Sequence, residues 1–229
     1  MPHHPANICR LLPKRAPDSH KGTYGRVLII AGSSQYTGAA ELAVEGALRS
    51  GVGMVVVATI SSVASVIQVR SPEAVVVICE QKDGCLLGSA YGDIVQLMDT
   101  HRITSVCMGP GLGNVADADV FYGGLMQAMA ARNIACVVDA DALVPVARGL
   151  VAHPMGHNQV VLTPHPKEFA RIAAALGDDS LSVAQVSAQL GQVVVHKTHE
   201  TTVHEAGNKW QSPTGNAALA TAGTGDVLA

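Results

Sequence analysis

A chain of 229 residues, 48% apolar and 14% charged, is long enough to bury one sizeable core and too apolar to be disordered. Fifteen basic against 18 acidic residues give a net charge of −3 with no Lys/Arg stripe, which excludes a nucleic-acid footprint. The first ten residues carry no apolar signal-peptide stretch, and the longest apolar run, around Val52 to Ile60, is too short to span a bilayer, so no membrane partner is expected.

Residues 1–23 hold four prolines and read as an irregular arm, leaving 24–229 as one domain. Strands and helices then alternate. Val27 to Ala31 is a β-branched run ending at Gly32, and Ala39 to Arg49 is an Ala/Leu-rich helix closed by Gly51. Val52 to Ala58 is a second strand, Val63 to Val69 a short helix, Val75 to Cys79 a strand and Ile94 to Asp99 a helix. Ser105 to Met108 is a strand, Val120 to Ala131 a helix and Ile134 to Asp139 a strand. Val160 to Leu162, helices over Lys167 to Leu176 and Leu181 to Leu190, and the strand Val193 to His196 follow. Uninterrupted apolar strands suit a parallel sheet covered on both faces, hence a doubly wound three-layer α/β domain whose core is Val, Leu, Ile and Ala. Cys9, Cys79, Cys85, Cys107 and Cys136 form no C-x-x-C pair and read as free thiols, mostly buried, of a cytoplasmic protein.

In such a sheet ligands sit at the carboxyl ends of the strands, so the residues just after each strand are the candidates. Gly32 to Ala40 is a small-residue loop entering a helix: an approach for a ligand, or only a tight turn. Gly109-Pro110-Gly111-Leu112-Gly113 suits a flat ligand laid against bare backbone, or is a structural turn; it is neither a P-loop nor a Rossmann fingerprint. After Ile134 to Asp139, Asp139 is open to a water-held Mg²⁺, and Asp141 is expected to cap a short helix. In Thr163-Pro164-His165-Pro166-Lys167-Glu168, Thr163 is the expected helix cap, with a proline in the first turn and Glu168 supporting the dipole. The two prolines hold the imidazole of His165 at one angle, as binding or proton transfer would need.

Lys197 is placed to meet a phosphate, with nearby Thr hydroxyls assisting, whereas His196, His199 and His204 complete no zinc spacing. Gly223-Thr224-Gly225-Asp226 reads as a glycine turn opening a helix, an anion hole with a carboxylate at its mouth to take a proton from an attacking hydroxyl.

Taken together, His20 to Ser33, Tyr36 to Ala40, Gly109 to Gly113, Asp139 to Leu143, Thr163 to Phe169, Gly215-Asn216 and Gly223 to Asp226 resemble the ADP/ATP-dependent NAD(P)H-hydrate dehydratases of the ribokinase-like superfamily, in that family's order and over nearly the whole chain. The resemblance implies a ribokinase-like three-layer α/β/α sandwich with a mostly parallel sheet. It implies contacts to the hydrated dinucleotide from Ala39, Gly111, Gly113, His165 and Asp226. Lys197, Thr198, His199, Glu200, Thr201, Gly223, Thr224 and Gly225 would bind ADP or ATP, with Mg²⁺ on the phosphates and Asp226 as the catalytic group facing the substrate hydroxyl. The implied chemistry is phosphoryl activation of the ring hydroxyl of hydrated NADH or NADPH, then loss of phosphate. A homo-oligomer, a tetramer in many members, is implied too.

Thr198 departs from the family's usual glycine, and a side chain there is expected to crowd the nucleotide. Members continue through further helices beyond Gly-Thr-Gly-Asp and many carry an N-terminal epimerase domain. On the ground of those C-terminal helices a shortened domain, weakly active and marginally stable, is expected. A small-molecule kinase of the same superfamily and a nucleotide-binding fragment without turnover are the alternatives.

Overall fold

A computed structural model describes residues 14–152, 155–157 and 159–229; residues 1–13 of the expected arm, Cys9 among them, lie outside the described residues. The strands are β1 (Arg26–Ile30), β2 (Met54–Thr59), β3 (Val75–Ile78), β4 (Gln81–Lys82), β5 (Cys85–Leu86), β6 (Ser105–Met108), β7 (Ala135–Val138), β8 (Val160–Leu162), β9 (Val193–His196), β10 (Thr202–Glu205) and β11 (Asn208–Gln211). The helices are α1 (Thr37–Arg49), α2 (Ser61–Arg70), α3 (Tyr91–Thr100), α4 (Ala118–Arg132), α5 (Leu143–Ala152), α6 (Pro166–Ala175), α7 (Val183–Leu190) and the short α8 (Thr224–Leu228).

Among the described residues nine strands form one sheet in the order β11-β10-β9-β8-β7-β6-β1-β2-β3. From β9 through β3 every pair is parallel; β10 and β11 add an antiparallel edge. The parallel strands are the apolar runs, because a strand covered on both faces has no solvent side to make polar. Leu28, Ile29 and Ile30 of β1 and Val55, Val56, Val57 and Ala58 of β2 are fully buried. The core is mainly aliphatic, as the composition requires, with Phe121 and Tyr122 of α4 packed edge to face within it.

The chain leaves β1 for β2 and β3, then returns to β6 on the other side of β1 and continues through β7 and β8 to β9. With right-handed crossovers, the two directions place their helices on opposite faces. Accordingly α1 packs with α2 and with α8, while α3 to α7 form a connected layer of their own. The fold is therefore a three-layer α/β/α sandwich whose winding reverses between β1 and β6. Among the described residues no helix is long and apolar enough to cross a membrane.

Ser105–Met108, Val160–Leu162 and Val193–His196 are strands over the expected bounds. Two hairpins and one helix lie outside the expected elements. The hairpins β4–β5 and β10–β11 are short and polar, and α5 has a proline, Pro145, in its first turn, where it is sterically tolerated.

Candidate functional site

The loops after β1 and β6 leave their strands in opposite directions and open a crevice at the carboxyl ends. The Gly32 N–H donates to the Pro110 carbonyl at 2.9 Å, joining the two loops. Gly111, at φ 60, lies so close to α1 that a Cβ there would stand 2.7 Å from Tyr36 Cβ and 2.9 Å from Ala39 Cβ. Ala39 and Gly111, expected to meet one ligand, thus lie close together, the Ala39 methyl against the Gly111 backbone. Gly109 is pressed on the Asp139 carbonyl, and the Gly113 N–H donates to Asp141 Oδ2 at 2.8 Å.

That bond corrects the expectation for Asp141. The 3₁₀ turn Ala140–Ala142 begins after Asp139, whose side chain makes no cap bond, and Asp141 fastens the glycine loop instead of a helix end. Ala140 between them has φ 47, rare for a residue with a side chain; the turn sends Asp139 into the interior and leaves Asp141 at the surface.

Thr163 also departs from expectation: its hydroxyl donates to the Val138 carbonyl at 3.2 Å, and the cap of α6 is His165. The ring Nδ1 of His165 accepts the N–H groups of Lys167 and Glu168 at 3.1 and 3.3 Å. Glu168 answers by accepting the His165 N–H at 2.8 Å on Oε2, which completes a capping box with Pro166 at the first position of the helix. Imidazole is not among the usual capping groups, so the sequence pattern pointed to Thr163. The ring stays half exposed at the strand-end face while Glu168 is buried.

Next to it, the Lys197 N–H donates to the Pro164 carbonyl at 2.9 Å, and its ammonium contacts Asp139 Oδ1 at 2.6 Å, with both side chains largely buried. This pairing was not legible in the sequence. It engages the carboxylate that was open to a water-held cation, and among the described residues no group of three or more His, Cys, Asp or Glu is placed to hold a metal. Gly225 sits against the pair: a Cβ there would lie 3.3 Å from Lys197 Nζ and 3.9 Å from Asp139 Oδ2. The glycine turn opens at Gly223, at φ 91, and α8 docks on α1, with the Val227 carbonyl close against Gly46.

Asp226 shares this environment. Burial, foremost, and then the charge of Asp139 raise its carboxyl above the usual aspartate value; Lys197 opposes the rise and Glu168 adds to it. On β6 below, the Cys107 thiol is pushed up to about 12 by burial, then by Asp139 and Asp226, and is inert. Cys79 and Cys136 are buried free thiols as well, and Cys85 is half-buried.

The turn after β9 divides. Lys197 reaches the Asp139–Gly225 cluster, while Thr198, His199 and Glu200 line an open depression of about 720 Å³ with Pro166, Val183 and Lys209. The Thr198 hydroxyl is turned into its own loop, accepting the Glu200 N–H at 3.1 Å, and the Thr201 hydroxyl donates to the Thr198 carbonyl at 2.9 Å. Gly215 abuts the His199 carbonyl, so a side chain there would strike it.

A wall of the crevice was missed: the β4–β5 hairpin. Its Gly84 carbonyl accepts the Ser34 N–H at 2.8 Å, and the Cys85 sulfur would stand 3.0 Å from a Cβ on Gly113. The signal was present. Asp83-Gly84, both at positive φ, is the two-residue hairpin turn, and Ala206-Gly207 does the same between β10 and β11.

Comparison with known proteins adds the chemistry. The sequence profile described as NAD(P)H-hydrate dehydratase matches residues 27–229. The ADP-dependent (S)-NAD(P)H-hydrate dehydratase of Listeria monocytogenes is 32% identical over 226 residues, 98% of this chain and 76% of that protein. A crystal structure of the ADP/ATP-dependent NAD(P)H-hydrate dehydratase of Bacillus subtilis, grown with ATP and Mg²⁺, superposes with a TM-score of 0.75 at 32% identity, covering 95% of this chain and 74% of that one. A ribokinase-like superfamily protein of Enterococcus faecalis gives a TM-score of 0.77 at 30% identity, covering 94% and 72%.

Proposed function

The chain belongs to the NAD(P)H-hydrate dehydratase family, and from that premise we propose how its own residues carry out nucleotide-dependent dehydration of hydrated NADH and NADPH. The observation that supports it is the Lys197–Asp139–Gly225 cluster with Asp226 beside it, at the carboxyl ends of the strands where the winding reverses.

The hydrated dinucleotide lies along the crevice against Ala39, Gly111 and Gly113, with the half-exposed ring of His165 orienting it. The adenine nucleotide, ADP by preference, lies along Lys197 to Thr201 with its terminal phosphate at the Gly223–Gly225 turn. Lys197 supplies a fixed positive charge to that phosphate, and the backbone N–H groups of the turn supply oriented dipoles. Asp226 accepts the proton of the ring hydroxyl as its oxygen attacks the phosphoryl group. Its raised affinity for a proton suits a base that must receive one. The C–O bond then breaks with phosphate as the leaving group, a far better one than hydroxide, and the neighbouring ring carbon gives its proton to solvent as the double bond is restored. A reaction fed with ADP leaves AMP and inorganic phosphate.

Among the described residues the carboxylates form no protein-built chelate, and Asp139 is engaged by Lys197. Magnesium would enter on the phosphates, and no step here depends on a protein ligand to it. A cytoplasmic homo-oligomer is part of the same reading.

The test is direct: incubate hydrated NADH and NADPH with ADP or ATP and Mg²⁺, and follow the return of reduced-nicotinamide absorbance. Recovery that requires both nucleotide and protein supports the reading. A phosphorylated small molecule with no recovery would identify a kinase instead.

A further inference from the structure

We propose that Asp139 is a positioning residue that holds the Lys197 ammonium over Gly225, so that the nucleotide phosphate meets a charge already in place. The inference rests on the reading that Lys197 meets the nucleotide, and it assigns a task to a buried carboxylate that the mechanism above does not use.

Three observations carry it. First, the pair is close and shielded: Nζ stands 2.6 Å from Oδ1, with 17% of the lysine side chain and 2% of the aspartate side chain exposed. Burying an ammonium this far from water is costly unless a compensating negative charge stands beside it. Second, the backbone beneath each partner is fastened independently of the pair. The Lys197 N–H donates to the Pro164 carbonyl at 2.9 Å, and the Asp139 N–H donates to the Met108 carbonyl at 3.0 Å. The two side chains are therefore brought together by the sheet rather than by chance rotation of surface groups.

Third, Gly225 leaves room for this arrangement, since a Cβ would come within 3.3 Å of Nζ. An ammonium has three donors. Asp139 takes one, and Nζ then stands beside the turn expected to receive the phosphate. Without Asp139 a lysine on a four-carbon stem would sample many rotamers and have to be ordered by the nucleotide itself.

The pair also sets the field at Asp226, which faces Asp139, Lys197 and Glu168. Neutralising Asp139 removes a charge that raises the Asp226 carboxyl and leaves Lys197, which lowers it. Losing the Asp139 charge therefore moves Asp226 downward, so the acid limb of the pH–rate profile should move to lower pH.

The experiment uses the full chain and four forms: parent, Asp139→Asn, Lys197→Met, and the double variant. ADP and ATP binding are measured by calorimetric titration without hydrated dinucleotide, beside turnover, its pH profile and melting temperature. We expect Asp139→Asn to weaken nucleotide binding about tenfold and to lower turnover at saturation on the order of 10²-fold, the cost of misplacing a reacting group by about an ångström. The KM for hydrated dinucleotide stays near the parental value and the acid limb shifts down. The double variant binds nucleotide no worse than Lys197→Met alone, because Asp139 acts through Lys197. It also keeps the site testable if the single Asn variant folds poorly, since it buries no unpaired charge.

Parental nucleotide affinity in Asp139→Asn, or a double variant whose loss is the product of the single losses, overturns the proposal, as does a parent that binds neither ADP nor ATP. A parent that binds nucleotide but fails to dehydrate the substrate sinks the functional reading instead, and the coupling in nucleotide binding still decides this one.

Discussion

His165 and Glu168 hold each other at both ends. Nδ1 of the imidazole accepts two N–H groups of the helix start, the carboxylate accepts the His165 N–H, and its second oxygen stands 3.3 Å from Nε2. An acceptor at Nδ1 places the neutral ring's proton on Nε2, pointing at Glu168. One histidine thus ends a loop, starts a helix and presents a ring of defined tautomer to the crevice.

The two duties can be separated. Asn is a good cap and Ala a poor one, the difference being about 1 kcal/mol. His165→Asn should therefore melt within a degree or two of the parent, while His165→Ala melts a few degrees lower, at about 2–4 °C per kcal/mol for a domain of this size. Both should weaken hydrated-dinucleotide binding on the order of tenfold and leave nucleotide binding alone. Glu168→Gln is the complementary change. Its amide oxygen keeps the capping bond, but its NH₂ meets the Nε2 proton donor to donor, so the ring must turn. Dinucleotide affinity should fall with little loss of melting temperature. Equal loss of both ligands in all three variants would make His165 a structural cap and nothing more.

The acid–base prediction concerns Asp226. Its folded carboxyl is raised, chiefly by burial and then by Asp139. A raised carboxyl stabilises the fold below its unfolded value, near 3.8, and that contribution is lost as pH rises through the folded value. At neutral pH the ionised Asp226 is therefore a burden on the fold. Asp226→Asn should melt higher than the parent at neutral pH, with the advantage gone below about pH 4, while turnover falls on the order of 10²–10⁴-fold. Thermal melts across pH beside rate measurements decide it. A variant that melts lower than the parent at neutral pH, or that keeps near-parental turnover, contradicts the assignment.

The parallel strands and the strand-end motifs were legible because burial on both faces writes itself as runs such as Val55-Val56-Val57 and because ligand loops collect glycine. What escaped has definite causes. Thr202 to Glu205 and Asn208 to Gln211 form a polar edge with little apolar contrast, and their turn signal lay in Ala206-Gly207 rather than in the usual Asn-Gly or Asp-Gly. Thr163 and Asp141 looked like caps because their residue types are good ones. The actual partners, Val138 and Gly113, belong to neighbouring strand ends that only the sheet order brings near. The Lys197–Asp139 pair spans 58 residues and follows from β7, β8 and β9 being neighbours, an ordering that apolar patterning alone does not give.

Gly111 offers the sharpest test of the crevice itself. At φ 60 its backbone is left-handed, a conformation that costs a residue with a side chain about 1–2 kcal/mol. The added methyl would also stand 2.7 Å from Tyr36 Cβ and 2.9 Å from Ala39 Cβ. Neither neighbour is the far end of a flexible chain; both are fixed to α1, so the glycine loop or the helix start must move. Gly111→Ala should therefore lower the melting temperature by several degrees and raise the KM for hydrated dinucleotide on the order of tenfold, with ADP affinity unchanged because Lys197 and Gly225 are not displaced. Gly38, one residue before Ala39, is the control. It lies in the first turn of α1 with nothing within 4 Å of an added Cβ, so Gly38→Ala should melt as high as the parent or higher, alanine being the better helix former by about 1 kcal/mol at most. Measuring melting temperature and both ligand affinities for the two variants separates close backbone approach from a general intolerance of bulk near the first turn. If Gly111→Ala matches Gly38→Ala in both respects, the loop does not press on Ala39 and the crevice is wider than this geometry makes it.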